Sequence, residues 1–182
     1  MAEPRSAEPV KLFVGMLSAF ADALDAAELE LAAQWGAVDL KSAPLSHEFT
    51  DYYRREMGGP LLRGFVAFNR LVDPADLAGI KCGTNAIERQ LAATGRWPVA
   101  RPVNLDPGYV TPAKLVLVSC KDYAHRVYLG DGVYAEATLS YTGGRWQAHP
   151  WTYPDYRTAE YHAFFTLLRE RLLADRKEAR CS

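Results

Sequence analysis

The sequence has few cysteines, and they do not cluster. Cys82, Cys120 and Cys181 are the only three among 182 residues, and no two have CxxC spacing. An odd, scattered set argues against a disulfide framework and against the paired cysteines of a structural zinc site. Four scattered histidines argue against a histidine-rich metal site as well. We therefore expect free thiols in a reducing cytoplasm.

Neither sign of charge is in excess, and long apolar runs are missing. The 21 basic and 22 acidic residues leave a net charge of −1, which argues against binding to nucleic acid through bulk charge. A small basic pocket is still compatible with this balance. No apolar run approaches the roughly 20 residues of a membrane helix, and the polar N-terminus has no apolar signal segment. The sequence therefore predicts a cytoplasmic protein with no membrane partner.

Familiar catalytic motifs are missing too. The chain contains no GxxxxGK(S/T) phosphate loop, no GxGxxG turn, no HExxH and no GxSxG. Its length and its 49% hydrophobic content favour one globular domain. We place that domain at residues 10–175, between flexible tails at 1–9 and 176–182.

Hydrophobic periodicity predicts an α+β fold. Apolar runs at residues 10–17, 37–45 and 61–68 indicate strands, and helical spacing indicates helices at 20–35 and 73–93. Together with an extended stretch to residue 110, the front half has the strand–helix–strand–strand–helix–strand order of a ferredoxin-like unit.

The remaining segments extend this unit. Residues 50–57 indicate a short helix or turn with Thr50 as a candidate N-cap. In the second half, a strand at 114–120 is followed by consecutive antiparallel hairpins, separated by glycine-rich turns. A final helix is predicted at 158–177, and we expect the helices to lie on one face of the sheet.

The stretch NLDPGY, from Asn104 to Tyr109, is either a turn or a site. Its Pro-Gly pair is a turn signal, and Asp106 before it fits an Asx turn. On an extended segment Asn104 and Asp106 would point the same way, since side chains alternate. They would then suit a hydroxyl, an amine or a weak hard-cation site. We predict a turn that directs Asn104 and Asp106 into a pocket.

The helix near residues 76–93 carries a polar row. Lys81, Asn85 and Glu88 follow one another at i, i+4 and i+7 and so share one face. The row is either a solvated face with a favourable charge pair or one wall of a pocket.

The hairpin after Lys121 carries a carboxylate that needs a partner. Glu136 lies on one face of its strand, and an unpaired buried carboxylate is costly. His125 or Arg126 across the hairpin could supply the partner. The pair is either structural or part of a site.

The loop WTYPDY, from Trp151 to Tyr156, is rich in aromatic residues. It either packs across a sheet edge or stacks a planar ring such as a nucleobase. A further polar and aromatic group near the first crossover is expected to be ordinary surface: His47, Thr50, Tyr52, Tyr53, Glu56 and Arg63.

Several of these segments resemble an uncharacterised bacterial and archaeal family, domain-of-unknown-function family 4416. The resemblance rests on EFTDYYRREMG, KCGTNAIE, VNLDPGYV, KDYAHRVYLGDGVYAEATL and WTYPDY, and covers most of residues 10–170. It implies no activity that can be transferred. It does favour a functional role for the polar members of these motifs, namely Asn104, Asp106, His125, Arg126, Glu136 and Asp155.

The leading hypothesis is a small-molecule enzyme or binder with a pocket for an anionic ligand, including a nucleotide-like one. Acid–base candidates are Asp106, His125 and Glu136. Ligand-binding candidates are Lys81, Asn85, Glu88, Asn104, Tyr109, Lys121, Arg126, Trp151, Tyr153 and Asp155. The alternatives are an RNA-binding module and a structural or interaction protein without catalysis. No cofactor is indicated.

Overall fold

The chain folds into helices and strands in a computed structural model that describes residues 3–49 and 54–181. The strands of these residues are β1 Val10–Ser18, β2 Val38–Lys41, β3 Leu45–His47, β4 Leu61–Val72, β5 Asn104–Val110, β6 Lys114–Ser119, β7 Val127–Gly130, β8 Val133–Thr142 and β9 Arg145–Ala148. The α-helices are α1 Ala21–Trp35, α2 Arg54–Met57, α3 Leu77–Ala93 and α4 Ala159–Cys181.

The strands form one antiparallel sheet. Its order is β2-β4-β1-β5-β6-β8-β7, with β3 also paired to β4 and β9 to β8. The prediction of an α+β protein with an antiparallel sheet is confirmed. Among the described residues, no helix is both long and apolar enough to cross a lipid bilayer.

Helices cover both faces of the sheet, so the expectation of helices on one face is wrong. Every residue of β1 is buried. Leu12 and Val14 belong to a core with residues of α1 and α3, whereas Phe13 packs with Phe165 of α4. A strand that is apolar at almost every position has no face to leave in water, which is why both of its sides need a covering layer.

NLDPGY is a strand and not a turn. It forms β5, with β1 on one side and β6 on the other. Pro107 lacks an N–H and lies just before the pairing with β6 begins at Gly108. A Cβ on Gly108 would lie 2.3 Å from the Val116 carbonyl oxygen. The glycine is therefore needed for close strand approach and not for a turn conformation.

The chain differs from prediction at some boundaries. Residues 37–45 form two short strands, β2 and β3, both paired to β4. The final helix α4 continues to Cys181, so residues 176–181 belong to a helix that extends past the predicted end at residue 177. Thr50, Tyr52 and Tyr53 lie outside the described residues.

Candidate functional site

A cavity of about 500 Å³ opens beside the middle of the sheet. Its walls come from β3, β4, α3, β5, β6 and β8, and from the loop before α4. The predicted site residues that line it are Lys81, Asn85, Asn104, Asp106, Lys121, Arg126, Glu136, Tyr153 and Asp155. The fold therefore brings together most of the residues that the sequence singled out from separate segments.

Asp106 lines this cavity and lies beside two cationic side chains, those of Arg63 and Lys81. Its Oδ2 accepts hydrogen bonds from Arg63 Nη1 at 3.0 Å and from Asn104 Nδ2 at 2.7 Å. Lys81 Nζ lies 3.9 Å from its Oδ1. Burial alone would raise the pKa of Asp106, but the charges of Arg63 and Lys81 outweigh it and hold the pKa below its usual value. Asp106 is therefore ionised at neutral pH and suits a base or a hydrogen-bond acceptor.

The polar row of α3 attaches to β5 and is not a solvated face. Glu88 Oε1 accepts from the Leu105 N–H at 2.8 Å, and Lys81 Nζ donates to the Leu105 carbonyl oxygen at 2.7 Å. Glu88 Oε2 accepts from Arg101 Nη2 at 2.8 Å, and Arg101 also donates to Asn104 Oδ1. Burial raises the pKa of Glu88, although Lys81 and Arg101 oppose it. Glu88 is therefore not part of the cavity lining, but its carboxylate positions Arg101, which is.

The hairpin supplies a second charged cluster. Glu136 Oε2 lies 2.8 Å from Arg126 Nε and 3.0 Å from His125 Nε2, so the predicted partners of this carboxylate are confirmed. Arg126 also donates to the Tyr153 hydroxyl at 2.6 Å and to the Lys121 carbonyl oxygen at 2.8 Å. Burial would lower the pKa of Arg126, but the interactions with Glu136 and Tyr153 together outweigh burial and raise the pKa. Arg126 therefore stays charged in the cavity wall.

The WTYPDY loop contacts both strand β8 and the cavity. Trp151 packs over β8, where its Nε1 donates to the Ala137 carbonyl oxygen at 2.9 Å. Its ring stacks between His125 at 5.3 Å and His149 at 4.9 Å, centroid to centroid. Tyr153 and Asp155 instead face the cavity. Trp151 thus packs against His125 and fixes the position of its ring. His125 contacts Glu136 but is not itself part of the cavity lining.

Tyr109, like Glu88, His125 and Trp151, is a predicted residue that does not belong to the cavity lining. It packs with Leu77 and Val116 in a small apolar cluster. Because Tyr109 belongs to NLDPGY, it was predicted to bind the ligand together with Asn104 and Asp106. In an extended strand, however, an odd-numbered residue points to the opposite face from those two.

Two residues expected to be ordinary surface, His47 and Arg63, are buried in the cavity wall, so that expectation is wrong for them. The signal for Arg63 was present: a single charged residue interrupts the apolar run LLRGFVAF. Gly15 of β1 makes room here, because a Cβ would lie 3.2 Å from Arg63 Nη1 and 3.3 Å from the Tyr156 hydroxyl. Arg101 and Tyr156 also line the cavity and were not predicted.

The lining described here carries more positive than negative charge. Its cations are Arg63, Lys81, Arg101, Lys121 and Arg126, and its carboxylates are Asp106, Glu136 and Asp155. Five cations against three carboxylates leave an excess of two positive charges. Among residues 3–49 and 54–181, no group of three or more His, Cys, Asp or Glu side chains could hold a metal ion.

An Asp106→Asn substitution tests the charge state of this site. Since the folded-state pKa of Asp106 lies below the unperturbed 3.8, its ionised form stabilises the fold above about pH 4. That contribution is lost as the pH falls below 3.8 and through the folded-state pKa. We expect the wild type to lose more free energy of unfolding than the variant between about pH 5 and pH 2 in urea titrations. Equal losses would contradict a carboxylate held by Arg63.

An antiparallel α+β protein with a charged cavity beside its sheet is the class that these features define. The chain belongs to the DUF4416 family, a domain of unknown function, whose model matches residues 8–172. The resemblance inferred from the sequence motifs is thereby confirmed. Searches of curated proteins and of solved structures gave no match.

Proposed function

We propose that the cavity binds an anionic small molecule through phosphate or carboxylate groups. The observation that carries the proposal is the convergence of five cationic side chains from separate segments on the described lining of one cavity. Opposite charges attract more strongly where water is partly excluded, so an anion bound among these side chains would be stabilised. Arginine and lysine donors make their strongest hydrogen bonds to such groups.

Aromatic side chains at the same cavity support a ligand with a planar part. Phe49 and Tyr123 line it and are 46% and 53% exposed. Exposed rings of this kind stack on flat groups such as nucleobases. We therefore include nucleotide-like metabolites among the candidate ligands.

If the protein is an enzyme, Asp106 and Glu136 are its proposed acid–base carboxylates, with His125 acting on Glu136. Both carboxylates line the cavity beside cations, which is an arrangement suited to proton transfer. We also propose that the front half is a single ferredoxin-like unit within one domain. The chain order β1-α1-β2-β4-α3-β5 and the sheet order β2-β4-β1-β5 support that proposal.

Ligand binding is tested by thermal shift with inorganic phosphate, nucleoside phosphates and dicarboxylates. At a ligand concentration about 100 times Kd, the free energy of unfolding should rise by about 2.7 kcal/mol. For a chain of this size, Tm should rise by about 5–10 °C. Lys121→Ala, in the lining, should weaken binding about three- to tenfold.

Lys114→Ala is the matched control, because Lys114 is an exposed lysine on β6 outside the lining. Cys82 and Cys120 are both exposed and locate the site independently, since Cys120 lines the cavity and Cys82 does not. A bound ligand should slow alkylation of Cys120 and leave Cys82 unchanged, as measured by peptide mass spectrometry. Absence of any shift, or equal effects of the two lysine variants, would contradict the proposal.

A further inference from the structure

His47 is a buried histidine with an incomplete set of partners. It ends β3, lies in the cavity wall and is only 6% exposed. Its Nδ1 lies 3.6 Å from Asp155 Oδ2 and makes no hydrogen bond within the described part of the chain. Buried polar atoms are usually paired in proteins, and Asp155 lies close enough to pair with this nitrogen once the ring carries a second proton.

Charged groups from three elements face the His47 ring. Arg63 comes from β4, Asp106 from β5 and Asp155 from the turn before α4, while Phe49 packs on the ring at 5.6 Å. Burial and the Arg63 charge lower the pKa of His47, and the two carboxylates only partly oppose them. His47 is therefore neutral at pH 7 in the ligand-free protein.

Asp106, Tyr153 and Tyr156 keep their protonation states at neutral pH. The Arg63 charge keeps the pKa of Asp106 low against the effect of burial. Burial raises the pKa of both Tyr153 and Tyr156, although the nearby guanidinium groups oppose it. His47 thus differs from them, because a modest change in its surroundings moves its charge across the physiological range.

We propose that His47 takes up a proton when an anion binds in the cavity. Asp155 then accepts the Nδ1–H, and the other ring nitrogen donates its N–H to the anion. A negative charge beside the ring offsets the effects of burial and of the Arg63 charge, which keep the ring neutral. The inference rests on the proposed anion binding and assigns to that site a proton-exchanging residue that faces the ligand.

Linkage fixes the sign of the pH dependence. Since the anion binds better to protonated His47, affinity is highest at low pH and falls as the pH rises above the ligand-free pKa. The affinity stops falling once the pH has passed the pKa of His47 in the complex, which is the higher of the two values. One proton allows at most a tenfold loss of affinity per pH unit, so roughly a tenfold loss is expected between pH 6 and pH 8.

Isothermal titration with inorganic sulfate tests the proposal, because sulfate does not itself titrate in this range. At pH 7, the binding enthalpy in buffers of different ionisation enthalpy should report a net uptake of about half a proton. His47→Gln should still bind sulfate but with no proton uptake and a flat pH profile. Proton uptake that survives in His47→Gln, or sulfate binding by the wild type without uptake, would overturn the inference.

Proton NMR of the wild type provides a readout that does not depend on how the variant folds. Of the four histidine ring signals, that of His47 should titrate at a higher pH in the presence of sulfate. An unchanged midpoint in the complex would sink the proposal. If sulfate does not bind at any pH, the proposed function itself fails, which is distinct from binding without proton uptake.

Discussion

Gly108→Ala should be among the most destabilising single substitutions in this chain. The new Cβ would lie 2.3 Å from the Val116 carbonyl oxygen and 2.8 Å from the ring of Phe13. The first of these atoms is backbone in β6 and cannot rotate away. We expect a loss of about 4 kcal/mol in the free energy of unfolding, at the upper end of single-residue effects.

The same substitution should disturb the cavity, since Asp106 is only two residues away on β5. A fall in Tm of about 8–16 °C would correspond to the expected loss for a chain of this length. Urea denaturation and thermal melts measure it directly. Any loss of ligand binding should accompany the loss of stability, because both follow from moving β5.

Gly79→Ala is the matched control. Gly79 lies in the first turn of α3, and a Cβ there would meet no atom within 4 Å. Alanine has the higher helix propensity, so this variant should be neutral or more stable by up to about 1 kcal/mol. If Gly108→Ala were as mild as Gly79→Ala, the close pairing of β5 with β6 would be wrong.

Lys11→Met should also be severely destabilising. Lys11 lies in β1 with no exposed surface. Its Nζ donates to Asp175 Oδ2 at 2.7 Å, to Asp39 Oδ2 at 2.8 Å and to the Phe68 carbonyl oxygen at 2.9 Å. Methionine keeps the volume but leaves two carboxylates facing each other. Removing one partner of a buried ion pair typically costs about 3–5 kcal/mol.

We expect a loss near 3 kcal/mol, at the lower end, because Arg171 Nε still lies 3.1 Å from Asp39 Oδ2. Adding Asp39→Asn to Lys11→Met should recover part of the loss, since the variant then has one fewer unmatched charge. Lys114→Met, on the exposed end of β6, should stay within about 0.5 kcal/mol of the wild type. A mild effect of Lys11→Met in urea denaturation would show that the ion cluster does not hold α4 to the sheet.

Lys11 and Arg63 look alike in the sequence, as single charges within apolar runs. The structure gives them different surroundings. Lys11 is closed off between Asp39 and Asp175 on the face that α4 covers, and Arg63 borders the open cavity beside Asp106. Period-two alternation assigns each charge to a face of its strand, but it does not reveal what covers that face. For this reason Arg63 was expected to be surface and Lys11 was not singled out.

NLDPGY was predicted as a turn for a related reason. Proline followed by glycine is a local signal, and locally a turn is its commonest outcome. Strand pairing with β1, whose residues lie about 90 positions earlier in the printed sequence, determined the outcome instead. Glycine was required by the approach of β6, which no local pattern encodes.

The sequence by itself determined the features that depend on near neighbours. These are the helices and strands of the α+β pattern, the glycine-rich hairpins, and the pairing of Glu136 with Arg126, only 10 residues away. Hydrophobic periodicity and turn chemistry act over a few residues, so they can be read from the chain.

Only the tertiary structure decided which distant side chains meet. Arg63 binds Asp106 across 43 residues, Lys81 reaches the β5 backbone across 24, and His47 faces Asp155, 108 residues further along the chain. These contacts depend on the order of strands in the sheet and on which face each helix covers. Since that order results from burying the whole apolar surface at once, the charge excess of the cavity and the position of His47 within it emerge only in the folded chain.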